Sequence, residues 1–257
     1  MDDVVKTPTD FYAAYIFDMD GTIYLGDHLL PGAKRMIEQL HERNIPVRYL
    51  SNNPTKDPAE YAQKLARLGL PTPVEEIVNT VVTTVRWLQA NHPDAVVYPI
   101  SEEPLKRALT EAGFKISEDP SEIDVVIASY DRTFEYRKLQ IAFDAIWFYK
   151  IIAAIEACTG TKCVANLGKP NPVMLTASLA GLDVEPANCV MVGDRLQTYI
   201  QMALDTGMAS AMTLTGEATL DDVRARAQDQ RPRYILDRID KLIPLQYWPQ
   251  LGWSEDD

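Results

Sequence analysis

Short apolar runs alternate with amphipathic runs through most of the chain, and this alternation restricts the fold more than any single residue does. A continuous apolar run suits a strand buried on both faces, and a longer amphipathic run suits a helix laid across it. The pattern predicts an α/β chain with a parallel sheet flanked by helices. Residues 12–17 read as the first buried strand, 31–43 as a helix with Pro31 in its first turn, 45–50 as the next strand and 57–68 as a helix stopped by Gly69. A second unit begins beyond Pro73, with helices near 80–90 and 103–112 and strands at 95–100 and 123–128. The first pattern resumes after about residue 158 with helix 172–180, strand 189–192, helix 197–206, strand 209–214 and a last strand at 234–236. The middle unit reads as an insertion, so the expected division is a core of 1–75 and 159–257 and an inserted domain of 76–158.

Residues 136–158 do not fit one amphipathic helix, because their apolar side chains fall on nearly every face. They predict either two helices meeting near Lys150 or one long helix buried on several sides, in part against another subunit.

With 257 residues and 46% of them hydrophobic, the chain can bury a full core without staples. Cys158, Cys163 and Cys189 form no CxxC pair and are odd in number, which argues for reduced thiols over a disulfide framework or a zinc knuckle. The acidic Met1-Asp2-Asp3 start and the lack of any long apolar run predict neither export nor a membrane span, so the expected compartment is cytoplasmic. A net charge of −12 with no basic cluster excludes nucleic acid as an expected partner. His28, His41 and His92 lie outside the motifs and are expected at the surface.

The strongest chemical signal is Phe17-Asp18-Met19-Asp20-Gly21-Thr22, directly after the first predicted strand. Ligands bind at the carboxyl ends of strands in open α/β sheets. Carboxylates at i and i+2 of an extended segment point the same way, and Gly21 lets the backbone turn. Two converging carboxylates repel unless a hard cation such as Mg²⁺ binds between them. Asp and Gly are also ordinary turn residues, but four fixed positions in a chain of this length are a chance match only on the order of one in a thousand.

Asp18-Met19-Asp20-Gly21-Thr22 resembles the first motif of the haloacid dehalogenase (HAD) superfamily. Three further matches follow in order: Leu50-Ser51-Asn52-Asn53, Gly168-Lys169-Pro170 and Val190-Met191-Val192-Gly193-Asp194. Alone, these could be a turn and helix cap, a solvated lysine and a strand-ending turn. Asp20-Gly21-Thr22-Ile23-Tyr24-Leu25-Gly26 and Gly168-Lys169-Pro170-Asn171-Pro172 are typical of the large-capped subfamily that includes NagD-like and 4-nitrophenyl phosphatases.

The resemblance implies a Rossmann-like core with an α/β cap inserted between the second and third motifs. It also implies a phosphomonoesterase in which Asp18 is the nucleophile and Asp20 the general acid and base. Mg²⁺ is expected on Asp18, Asp20 (through its carbonyl) and Asp194, with Lys169 as a catalytic cation and Ser51, Asn52 and Asn53 binding phosphate. Asp20 separates this pattern from the true dehalogenases, which lack the acid. The expected substrate is a small phosphorylated metabolite, and a homodimer through the cap is among the expected states.

Two positions depart from the pattern. Tyr199 stands where the subfamily has a second Asp that supports the metal's water shell, a loss worth roughly 10- to 100-fold in affinity. The expected cap is shortened, because the helix-like runs abut at Tyr149-Lys150-Ile151 where the subfamily has another strand and a Gly/Pro-rich loop. Both departures keep open a catalytically impaired protein that acts by binding. A phosphotransferase is the remaining alternative.

Overall fold

The structure, a computed structural model, describes residues 7–149, 165 and 167–254. The strands are β1 (Ala14–Asp18), β2 (Tyr24–Leu25), β3 (His28–Leu29), β4 (Val47–Ser51), β5 (Ile77–Asn79), β6 (Val97–Ile100), β7 (Val125–Ala128), β8 (Cys189–Gly193), β9 (Ala209–Thr213) and β10 (Tyr234–Leu236). The helices are α1 (Ala33–Glu42), α2 (Pro58–Arg67), α3 (Thr80–Asn91), α4 (Glu103–Glu111), α5 (Tyr136–Tyr149), α6 (Val173–Leu179), α7 (Gln201–Thr206), α8 (Leu220–Arg224) and α9 (Trp248–Leu251).

Six strands form one sheet in the order β10-β9-β8-β1-β4-β5, and the β1–β4, β1–β8, β8–β9 and β9–β10 pairs are parallel. The expected α/β class is therefore what the chain adopts. Every residue of β1 is buried, as a central strand covered on both faces requires. Tyr15, Phe17 and Tyr49 are wholly buried; the Tyr15 and Phe17 rings stack with centroids 6.2 Å apart, and the Tyr49 ring lies tilted to Phe17 at 6.3 Å. Burial of each such side chain contributes about 1.5–3 kcal/mol.

Two compact units emerge from the chain. One comprises the described residues within 1–50, 62–77 and 178–257, and the other those within 51–61 and 78–177. The second unit has its own small parallel sheet, β6 beside β7, with Val97 opposite Val125. Tyr98, Ile100, Ile123 and Val126 pack there against Ala142, Ala145 and Ile146 of α5. Val81 and Leu88 of α3 meet Leu105 and Leu109 of α4 in a separate cluster. The junction near Lys150, the contrast of one helix with two, and the abutting runs at Tyr149-Lys150-Ile151 lie at or outside the edge of the described residues.

β5 escaped the sequence reading, because three residues carry no usable period. The hairpin of β2 and β3 escaped it for the same reason. His28 and His92 are exposed as expected, whereas His41 is half-buried with its Nε2 3.0 Å from Glu76. Burial raises the Glu76 carboxyl above its ordinary value, and His41 beside it pulls it back. Cys189 is a free, buried thiol, while Cys158 and Cys163 lie outside the described residues. Among the described residues no helix is long and apolar enough to cross a membrane.

Candidate active site

The sheet register levels the ends of three strands. Asp18 closes β1 opposite Leu50 of β4, and Ser51 is the next residue of that strand. Phe17 lies opposite Val192 of β8, with Gly193 and Asp194 directly following. This carboxyl edge is where an open α/β sheet presents ligand-binding turns.

In the first unit, β1 runs into a tight turn. The Met19 carbonyl accepts the N–H groups of Ile23 at 2.9 Å and Tyr24 at 3.1 Å, and Gly21 N–H donates to the Tyr24 carbonyl at 2.8 Å. Gly21 has φ +84°, a conformation that favours glycine. Its carbonyl accepts the Thr215 hydroxyl at 2.7 Å, which ties the turn to the loop after β9. Both loops close on Asp194. A Cβ at Gly21 would fall 2.6 Å from Asp194 Oδ2, and one at Gly216 only 2.1 Å from the same atom. Glu217 N–H donates to that oxygen at 3.0 Å. Gly216→Ala is therefore expected to displace the Asp194 carboxylate and to cost about 1–3 kcal/mol by overpacking, read from chemical denaturation. An unchanged midpoint would show that the loop can yield.

Asp18 and Asp194 are each 4% exposed. Burial raises the Asp194 carboxyl above its ordinary value; the Glu217 N–H opposes this, and the charge of Asp18 adds to the rise. Asp194 Oδ1 is buried without a hydrogen-bond partner among the described residues. An unsatisfied, buried carboxylate oxygen is costly, and a hard divalent cation is the kind of group that satisfies it. Among the described residues no three His, Cys, Asp or Glu side chains come together. A cation here would accordingly draw on these two acids and backbone oxygen. Asp20, bridged to Tyr24, is exposed.

The other sequence-predicted residues lie in the second unit. Asn52 holds the backbone of Lys169 from both sides: Lys169 N–H donates to its Oδ1 at 2.8 Å, and its Nδ2 donates to the Lys169 carbonyl at 3.3 Å. Lys169 is 8% exposed. Ser51 Oγ accepts Asn53 N–H at 3.1 Å and shares a 3.0 Å hydrogen bond with the Tyr61 hydroxyl. Asn53 Oδ1 takes the N–H and hydroxyl of Thr55, at 2.9 and 2.7 Å. The side chains of Asn52 and Asn53 thus shape the loops around Ser51 and Lys169.

The chain matches two family profiles, haloacid dehalogenase-like hydrolase over residues 15–115 and HAD-hydrolase-like over residues 166–242. It is 31% identical over 238 residues to the acid sugar phosphatase of Staphylococcus epidermidis, covering 84% of this chain and 91% of that one. The chain belongs to the haloacid dehalogenase-like hydrolases. Within them it is a NagD-like phosphatase. The crystal structure of 4-nitrophenylphosphatase from Thermotoga maritima has a TM-score of 0.82 at 28% identity, covering 90% of this chain and 96% of that one. NagD from E. coli K-12 shares the fold with a TM-score of 0.82 at 23% identity, covering 90% and 98%.

This HAD-like hydrolase contains site residues that sequence reasoning missed. For Tyr199, which the sequence marks only as a departure at the metal-supporting position, what was missed is its setting: it sits in a five-residue π-helical turn, Leu196–Ile200, that precedes α7 where an ordinary helix start was expected. Its hydroxyl hydrogen-bonds the Asp18 side chain, and its own ionisation is pushed far up by burial and then by the charge of Asp18. Gly216 and Thr215 were also missed; a Thr-Gly pair just past the predicted strand 209–214 was the available signal.

Proposed function

We propose that this HAD phosphatase is a Mg²⁺-dependent phosphomonoesterase that hydrolyses small phosphorylated metabolites through an aspartyl-phosphate on Asp18. The observation that carries the reading is the buried Asp18–Asp194 pair at the carboxyl edge of the sheet, with an oxygen on Asp194 that has no hydrogen-bond partner among the described residues. Asp18, Asp194 and the Asp20 carbonyl would hold Mg²⁺, which when bound neutralises charge on the phosphoryl oxygens.

An Asp18 oxygen attacks phosphorus, and the bond from phosphorus to the leaving oxygen breaks as Asp20 gives that oxygen a proton. Asp20, now a carboxylate, takes a proton from water. That water attacks phosphorus, the bond to Asp18 breaks, and phosphate leaves. The exposure of Asp20 supports this role, since a proton carrier must reach both substrate and water. Lys169 is assigned to the phosphoryl charge, and Ser51 with the backbone of the Asn52–Asn53 loop to phosphate binding.

The names of the relatives support sugar phosphates as the first class to test, with 4-nitrophenyl phosphate as a general substrate. Phosphate release from both is expected with Mg²⁺, and a drop to background is expected in excess chelator, with return on adding Mg²⁺ back. Full activity in chelator would defeat the metal assignment. The Tyr199 contact to Asp18 favours a second reading, a catalytically impaired binding protein, which absence of turnover in folded, Mg²⁺-supplied protein would select.

A further inference from the structure

Two acids and one neutral donor share a buried corner of the first unit. Tyr199 is 6% exposed and packs against the end of β8, where a Cβ on Gly193 would fall 2.3 Å from Tyr199 Cγ. That close approach confines the ring, and its hydroxyl hydrogen-bonds the Asp18 carboxylate. The wide turn Leu196–Ile200 is what carries it there, with Ile200 N–H reaching back to the Arg195 carbonyl at 3.4 Å.

A hydroxyl that donates to one of two crowded carboxylates relieves part of their repulsion without adding charge. It also occupies a lone pair on the acid that a cation would need. Among the described residues, nothing gives Asp194 such help at Oδ1. We propose that Tyr199 is a positioning residue that tethers the Asp18 carboxylate and competes with a divalent cation for it, so that the site loads loosely and follows the free Mg²⁺ concentration. This rests on the phosphatase reading above, in which Asp18 is both nucleophile and metal ligand.

The test is Mg²⁺ binding to the full chain by titration calorimetry, comparing wild type with Tyr199→Phe, which keeps the ring against Gly193 and removes only the hydroxyl. Loss of a hydrogen bond to a charged group is expected to tighten Mg²⁺ binding by about tenfold or more. The metal-free variant is expected to melt earlier, and Mg²⁺ to raise its thermal midpoint more than it raises that of wild type. Equal or weaker binding by the variant overturns the proposal while leaving the phosphatase reading in place. Failure of wild type to bind Mg²⁺ removes both. Should the variant not fold, wild type alone decides: Mg²⁺ is expected to produce a tyrosine absorbance difference as the buried hydroxyl changes partner, and a flat difference spectrum at saturating Mg²⁺ overturns the proposal.

Discussion

Asp18→Asn is expected to lower kcat on 4-nitrophenyl phosphate by at least about 10³-fold while leaving the fold intact. The side chain keeps its size, but a neutral amide is a poor nucleophile toward phosphorus and a poor ligand for a cation. The structure makes a stability loss unexpected. Asp18 is buried beside Asp194, so removing its charge relieves repulsion, and the amide oxygen of the substituted side chain can still accept the Tyr199 hydroxyl. The decisive combination is lost turnover with a thermal midpoint equal to or above that of wild type. Turnover within tenfold of wild type would move the nucleophile elsewhere.

The second large effect lies away from the chemistry. Asp240 is completely buried, and its carboxylate takes Arg35 Nε and, at 2.8 Å, Arg238 Nη2. Arg35 in turn lies 4.5 Å over the Trp253 ring and 5.3 Å over that of Trp248. One acid thereby joins α1, the turn Ile239–Leu242 and the C-terminal segment. Asp240→Asn would leave two guanidinium groups, each only about 20% exposed, facing a neutral amide at a wholly buried position. Removing one partner of such an arrangement costs about 3–5 kcal/mol, or a fall in thermal midpoint on the order of 10 °C for a chain of this size. Thermal and urea unfolding measure it, and a loss below about 1 kcal/mol would mean that water reaches the two arginines.

What could be read from the sequence follows from the range of the interaction concerned. β1, β4 and β8 are runs of buried residues that need no knowledge of their partners, and the acids that end them, Asp18 and Asp194, are marked by position alone. β5 and the β2–β3 hairpin are too short to have a period, so they exist only because a neighbouring strand offers them hydrogen bonds. The tie between Asn52 and Lys169 spans more than a hundred residues, and no local pattern announces it. Tyr199 was visible as a departure from the family's pattern, but its contact with Asp18 depends on a π-helical turn that helical periodicity does not reveal.

The position of β1 in the sheet also bears on how the chain is made. Its neighbours are β4, which follows within a short stretch of chain, and β8, which arrives only when Cys189 and its successors have been synthesised. During translation the Tyr15-Ile16-Phe17 strand therefore waits with one edge unpaired while the whole second unit emerges. Long-range parallel pairing is slow to close, and an apolar edge held open is a template for association with other chains. For this protein, the interval between the synthesis of β1 and that of β8 is the period of greatest exposure to misassembly, and the second unit, with a core of its own, can fold during that wait.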